Sequence, residues 1–255
     1  AARRSLGLEP AVVILEFACG ACNGLDEYTT YLTPGQLSDA LAGSRGEAVG
    51  VVIRSVQFTL LLDDEQFRIG LVRILFFHDS TLQEVRDALV YLQSMGADVL
   101  ILDLRGNPGG LFHPAVQVAE LFLAEGTIVL THSRLRTYSR RYRADNPNPV
   151  DLPLVVLVDG DTASAAEVLA GALKENQRAT LVGQTTFGKG SVQTVLPLDK
   201  IPAGIRITVA KFYSPANYPY SGRGVTPHTV VDEGPEAQLA AARQAARQLA
   251  RMVDR

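Results

Sequence analysis

Between residues 81 and 212 the chain switches repeatedly between helical and strand-like patterning, and this alternation constrains the fold more than any other feature. Residues 81–95 carry Leu82, Val85, Leu89 and Leu92 at helical spacing, with Ser80 placed to cap the first turn. A short apolar strand over 99–104 comes next, then a helix over 114–123 and a strand over 127–130. Residues 154–158 are almost continuously apolar, as in a strand covered on both faces. A helix over 163–176 and strands over 180–183, 192–196 and 205–212 complete the series. Strands separated by helices predict an α/β core with mainly parallel strands.

The flanks are less regular. Residues 9–24 read as a short apolar helix stopped by Asn23-Gly24. Residues 25–34 are polar and aromatic, and the small, glycine-containing run 42–47 suits an exposed loop. Strands are expected over 49–53, 56–62 and 69–77, with a turn at Asp63-Asp64. Residues 138–149, basic and then rich in Asn and Pro, read as an exposed loop. At the C-terminus, a helix over 236–255 carries Leu239, Ala242, Ala246, Leu249 and Val253 along one seam. Arg243, Arg247, Arg251 and Arg255 recur every four residues beside it. Such a seam either docks on its own domain or forms a dimer contact.

The 255 residues suffice for one large domain or two small ones, and 47% hydrophobic with 20% charged residues is ordinary globular composition. A net charge of −3 supplies no basic excess for nucleic acid or an anionic membrane. No apolar run reaches the roughly 18–20 residues needed to span a bilayer. The first residue is Ala1, so the sequence carries no information about a leader. Cys19 and Cys22 form a lone C-x-x-C with no second ligand pair. They read as small packing residues, and no metal site or cofactor is expected.

Ligands of open α/β sheets bind at the carboxyl ends of the strands, and three strand ends carry unusual residues. In the first, Asp103-Leu104-Arg105-Gly106-Asn107-Pro108-Gly109-Gly110, glycines let backbone amides converge on an anion. In the second, Asp159-Gly160-Asp161-Thr162-Ala163-Ser164 opens a helix. Ser164 there is either an N-cap or a nucleophile placed in the field of the helix terminus. The third, Gly183 to Ser191, nearly matches the phosphate-binding G-x-x-x-x-G-K-[ST] loop. Gly190, however, stands where the Mg²⁺-binding hydroxyl is required, and residues 191–196 are β-rich rather than helical. Of the four histidines, His113 alone lies near the glycine turn as a rival base for a Ser-His-Asp site.

Taken together, "LDEYTTYLTPGQL", "LILDLRGNPGG", "VLVDGDTASAAEVLAGAL", "RATLVGQTTFGKGSVQTVLPL" and "IRITVAKFYSPANYPYSGRGVTPHTVV" resemble the carboxyl-terminal processing (tail-specific) proteases of serine peptidase family S41, over about residues 25–231. The resemblance implies a ClpP/crotonase-like layered core with mainly parallel strands and flanking helices, preceded by a small N-terminal helical segment. It implies a serine endopeptidase that cleaves unfolded or C-terminal regions of proteins, and an extracytoplasmic location. Position by position, the family's nucleophile falls on Ser164 and its general base on Lys189, 25 residues later. Its third member falls on Gln193, and its oxyanion-hole amides fall on Gly110 and Ala165. Glu167 and Glu175 read as structural helix residues. A lysine acts as a base only as the neutral amine, which a dry surrounding favours. A neutral Gln193 can orient that amine without restoring its charge. If the strand begins near Gly190, Lys189 and Gln193 share one face.

Two departures stand out. Most family members carry a PDZ domain where residues 37–54 stand here, and eighteen residues cannot bury a core. The expected division is therefore an N-terminal helical segment without a PDZ over 1–54, a peptidase core over 55–235 and a C-terminal helix over 236–255. His228 replaces an aspartate of the family pattern. The rival readings are a catalytically inactive scaffold or peptide-binding relative, and a crotonase-like acyl-CoA enzyme. The expected partners are protein or peptide substrates, with a homo-oligomer through the terminal helices as the sharper reading of the last helix.

Overall fold

The computed structural model describes residues 21–22, 25–26, 28–45, 54–62, 67–199 and 201–253. The helix expected over 9–24, the strand over 49–53 and Cys19 lie outside the described residues, apart from residues 21–22 of that helix. Cys22 is buried and unpaired, as a packing residue would be. The chain forms two compact units. One comprises Ala1–Val51, Ser133–Tyr138 and Ser191–Lys211; the other comprises Val52–His132, Ser139–Gly190 and Phe212–Arg255.

In the first unit, β1 (Thr30–Leu32) is followed by helix α1 (Pro34–Arg45). The helix opens with a capping box: the Thr33 amide donates to Gln36 Oε1 at 3.0 Å, and the Gln36 amide donates to Thr33 Oγ1 at 3.4 Å. Pro34 stands at the first helical position, where its missing N–H costs nothing. Residues 42–45, expected in a loop, continue this helix. The unit's remaining strands, described below as β9 and β10, pair antiparallel with each other, and β1 pairs antiparallel with β10.

The second unit holds the alternating core. Its strands β2 (Val56–Leu62), β3 (Arg68–Ile74) and β4 (Val99–Asp103) are joined by helix α2 (Thr81–Ser94) between β3 and β4. Ser80 takes the cap position of α2, but its hydroxyl donates to Glu84 Oε1 and accepts from none of the helix amides. Helix α3 (Phe112–Phe122) leads into a hairpin of β5 (Glu125–His132) and β6 (Arg140–Asp145). Strand β6 occupies part of the stretch 138–149 expected as a loop. Then come β7 (Leu154–Val158), helix α4 (Ala165–Glu175), β8 (Thr180–Gly183), β9 (Ser191–Pro197), β10 (Gly204–Tyr213), β11 (Thr229–Val230) and helix α5 (Pro235–Val253).

Six strands form one sheet in the order β11-β8-β7-β4-β3-β2. Every neighbour is parallel except β2, which runs antiparallel to β3. One sheet face presents Ile69, Val99, Ile101, Val155, Leu157 and Val182 to Ala242, Ala246 and Ala250 of α5. The small alanines let the helix backbone approach the sheet closely. Leu239 and Leu249 pack against the same cluster, so the seam of the last helix is covered by its own sheet. On the other face, Gly70 leaves just enough room for Leu92 of α2 and Leu100 of β4 to meet above it. The expected layered α/β core with mainly parallel strands is present.

Candidate active site

The three segments singled out in the sequence leave the carboxyl ends of β4, β7 and β8, which are adjacent in the sheet. Hydrogen bonds lock the first two together. Ala163 N donates to Asn107 O at 2.9 Å, and Thr162 Oγ1 donates to Leu104 O at 2.9 Å. Asn107 is fully buried; its Nδ2 donates to Ile74 O and its Oδ1 accepts from Gly109 N. Beneath this turn, Asp103 pairs with Arg105 at 2.8 Å, and Arg105 Nη1 donates to Pro235 O at the start of α5.

Glycine is obligatory at two positions of the first turn. A Cβ on Gly109 would stand 2.8 Å from Ser164 Cβ, and one on Gly110 would collide with Phe77 O. Both residues have positive φ, 103° and 128°. The turn is held by Phe77, whose amide donates to Gly109 O and whose carbonyl accepts from Leu111 N. The Gly109 amide is used by Asn107. Neither the Gly110 amide nor the Ala165 amide has an acceptor among the described residues. These are the two amides on which the family resemblance places oxyanion stabilisation.

Ser164 sits at the N-terminus of α4 with φ 56° and ψ −116°. A non-glycine residue there carries strain of about 1–3 kcal/mol. The residue is partly exposed, while the helix behind it is buried along nearly its whole length.

The conformation is held by Glu167, which has no exposed surface. Its Oε2 accepts from Ser164 N at 2.8 Å and from Lys189 N at 2.8 Å. Its Oε1 accepts from Thr186 Oγ1 at 2.6 Å and from Gly188 N at 2.7 Å. One carboxylate oxygen therefore brings the backbone nitrogens of Ser164 and Lys189 within two hydrogen-bond lengths of each other. Thr186 Oγ1 also accepts from Val225 N at 2.7 Å, and Phe187 N donates to Thr162 O at 3.0 Å. Four donors meet the two oxygens of this buried carboxylate and offset the cost of its burial.

The sequence read Glu167 as structural and did not single out Thr186. The only signal was the S-x-x-E spacing from Ser164, which equally describes an ordinary helix start. Glu175 is exposed and accepts from Ala216 N.

Gly188, at φ 89°, turns the chain so that Lys189 lies before the strand, which begins at Ser191. The G-x-x-x-x-G-K run leads into a strand rather than a helix, unlike a phosphate-binding loop. Gln193 belongs to the first unit, where its Nε2 donates to Tyr28 O at 2.6 Å. His113 is exposed, touches the rings of Phe112 and Tyr142, and has no hydrogen bond to a carboxylate among the described residues. His228 accepts from Leu181 N through Nδ1 at 2.9 Å, while its own amide donates to Leu181 O at 2.9 Å. It thus ties the approach to β11 onto β8.

The sequence profile of Peptidase family S41 matches residues 68–231. A carboxyl-terminal-processing protease of Synechocystis sp. is 39% identical over 247 residues, covering 89% of this chain and 56% of the relative. The chloroplastic carboxyl-terminal-processing peptidase 2 of Arabidopsis thaliana is 34% identical over 229 residues, covering 80% of this chain and 44% of the relative. Among solved structures, a photosystem II D1 C-terminal processing protease superposes with a TM-score of 0.65 at 36% identity, over 77% of this chain and 53% of that one. The chain thus spans about half the length of these relatives. The profile match runs from β3 to the residue after β11 and takes in all three strand ends, and the chain belongs to peptidase family S41.

Proposed function

We propose that the chain is a serine endopeptidase acting on unfolded or C-terminal regions of proteins, with Ser164 as nucleophile and Lys189 as general base. The observation that carries this reading is the Glu167 carboxylate, which joins the strained Ser164 to the lysine-bearing turn. The amides of Gly110 and Ala165 supply the oxyanion site. Neutral Lys189 takes the hydroxyl proton as Ser164 Oγ attacks the scissile carbonyl. The two amides hold the tetrahedral oxyanion, and protonated Lys189 then donates to the leaving amine. Water, deprotonated by the same lysine, hydrolyses the acyl-enzyme. Gln193 orients the amine. The reaction uses no cofactor. The processing activity in the relatives' names and the chloroplastic name of one of them support C-terminal processing at an extracytoplasmic site. The catalytic core runs over 55–235, and selectivity resides in that core rather than in a PDZ.

Casein hydrolysis tests the reading. Ser164→Ala and Lys189→Ala should each remove nearly all activity with circular dichroism unchanged, whereas His113→Ala should retain most of it. Loss of activity in His113→Ala with survival in Lys189→Ala would overturn the dyad. A folded but inert wild-type chain would point to a binding scaffold.

A further inference from the structure

The basic stretch that sequence patterning assigned to a loop forms β6, and its placement gives it a use the catalytic reading does not absorb. Among the described residues, strand β6 ends its sheet and is paired on one side only, with β5. Its free edge offers backbone N–H and C=O groups to an incoming strand. Arg140, Arg141 and Arg143 are exposed, and none forms an ion pair among the described residues. Strand alternation sends Arg141 and Arg143 to one face and Arg140 and Tyr142 to the other. The Arg140 guanidinium lies 5.2 Å from the centroid of the Tyr142 ring, and that ring stacks edge-on against Phe112 at 4.9 Å. Phe112 is the second residue after Gly110, so the aromatic face of β6 reaches the start of the helix that leaves the glycine turn.

We propose that the free edge of β6 docks an extended acidic polypeptide segment as an added strand. Three exposed guanidinium groups within four residues, in a chain of net charge −3, form a local site for carboxylates. A second copy of β6 would set arginines against arginines, which disfavours self-pairing. A lipid surface would supply negative charge but no partners for the strand's backbone groups. An acidic strand supplies both, with alternate side chains reaching Arg141 and Arg143 on one face.

The test uses the full chain carrying Ser164→Ala, so that binding is read without turnover and does not depend on the catalytic assignment. Fluorescence anisotropy follows a labelled ten-residue peptide alternating Glu or Asp with Val or Thr. Its controls are a Gln/Asn twin, a version with a central proline, and phosphatidylglycerol vesicles. The acidic peptide should bind about tenfold more tightly than its neutral twin at low salt. Replacing Arg141 and Arg143 together by Gln should weaken binding roughly fivefold, and replacing both by Lys should restore most of it. The central proline should remove most of the binding, because it deletes a ladder donor. Equal binding by wild type and the double Gln variant would overturn the proposal. So would undiminished binding of the proline peptide, or capture by vesicles without capture by the peptide.

Discussion

Ser164, the proposed nucleophile, holds a backbone conformation that favours glycine. Strain retained at a functional residue predicts a separation of stability from activity. Ser164→Gly and Ser164→Ala should both be inactive, but the glycine variant should melt higher, by about 1 kcal/mol of stability, because it relieves the φ of 56°. Equal melting temperatures would show that no strain is stored there. Glu167 carries the complementary prediction. Replacing it by Gln turns one acceptor oxygen into a donor facing amide donors, leaving at least two of its four partners unsatisfied. Urea unfolding should show a loss of about 2–4 kcal/mol, against about 1–2 kcal/mol for Thr186→Val. The double variant should lose less than the sum, since both remove the same hydrogen bond. Ser164 and Lys189, the proposed pair, were singled out in the sequence by motif spacing. Glu167 was not, because three of its partners lie 19–22 residues further along the chain and are brought to it only by the turn after β8.

At the level of elements, the apolar runs were legible and the charged ones were not. The buried strand Leu154–Val158 and the helix beginning at Thr81 stand where their periodicity put them, because burial on two faces or one stripe writes directly into sequence. Strand β6 escaped because an edge strand can leave its side chains in water, so Arg and Tyr take the place of the apolar alternation. Helix α1 was hidden by low hydrophobicity along its length, although Thr33-Pro34-Gly35-Gln36 already spelled its capping box. The approach to β11 depends on a titratable acceptor. His228 Nδ1 receives the Leu181 amide, and burial, with the nearby Lys174 charge, lowers its pKa below the ordinary histidine value. The folded state therefore favours the neutral ring. The unfolded chain begins to take up the proton as pH falls through about 6.5. Stability contributed here should be complete above that pH and decline as pH falls from it toward the folded value. His228→Asn should flatten this segment of a melting-temperature profile measured between pH 8 and 5. The same slope in both proteins would place the pH dependence elsewhere.

Across the whole second unit, the last helix decides whether the parallel sheet has a dry face. Ile101, Val155, Leu157 and Val182 are fully buried, and Ala242, Ala246 and Ala250 cover that face with almost no exposed area of their own. The arginine-bearing positions flank this alanine stripe, and Arg105 ties the start of the helix to the turn after β4 through Pro235 O. The helix thus closes the sheet and braces the strand end that carries the glycine turn. A carboxylate introduced at Ala246 would enter a cluster of aliphatic side chains with no partner. Ala246→Asp should cost about 3 kcal/mol or more, roughly 6–12 °C in Tm for a unit of this size. Gln248→Asp on the exposed side of the same helix should change Tm by little. Peptidase activity should fall in step with the folded fraction in Ala246→Asp, because the helix supports the site through the sheet and Arg105 rather than through the reacting groups. Light scattering beside the thermal melt separates this from a subunit contact. If Ala246→Asp reduces the particle mass while leaving Tm in place, the alanine stripe faces another copy and not its own sheet.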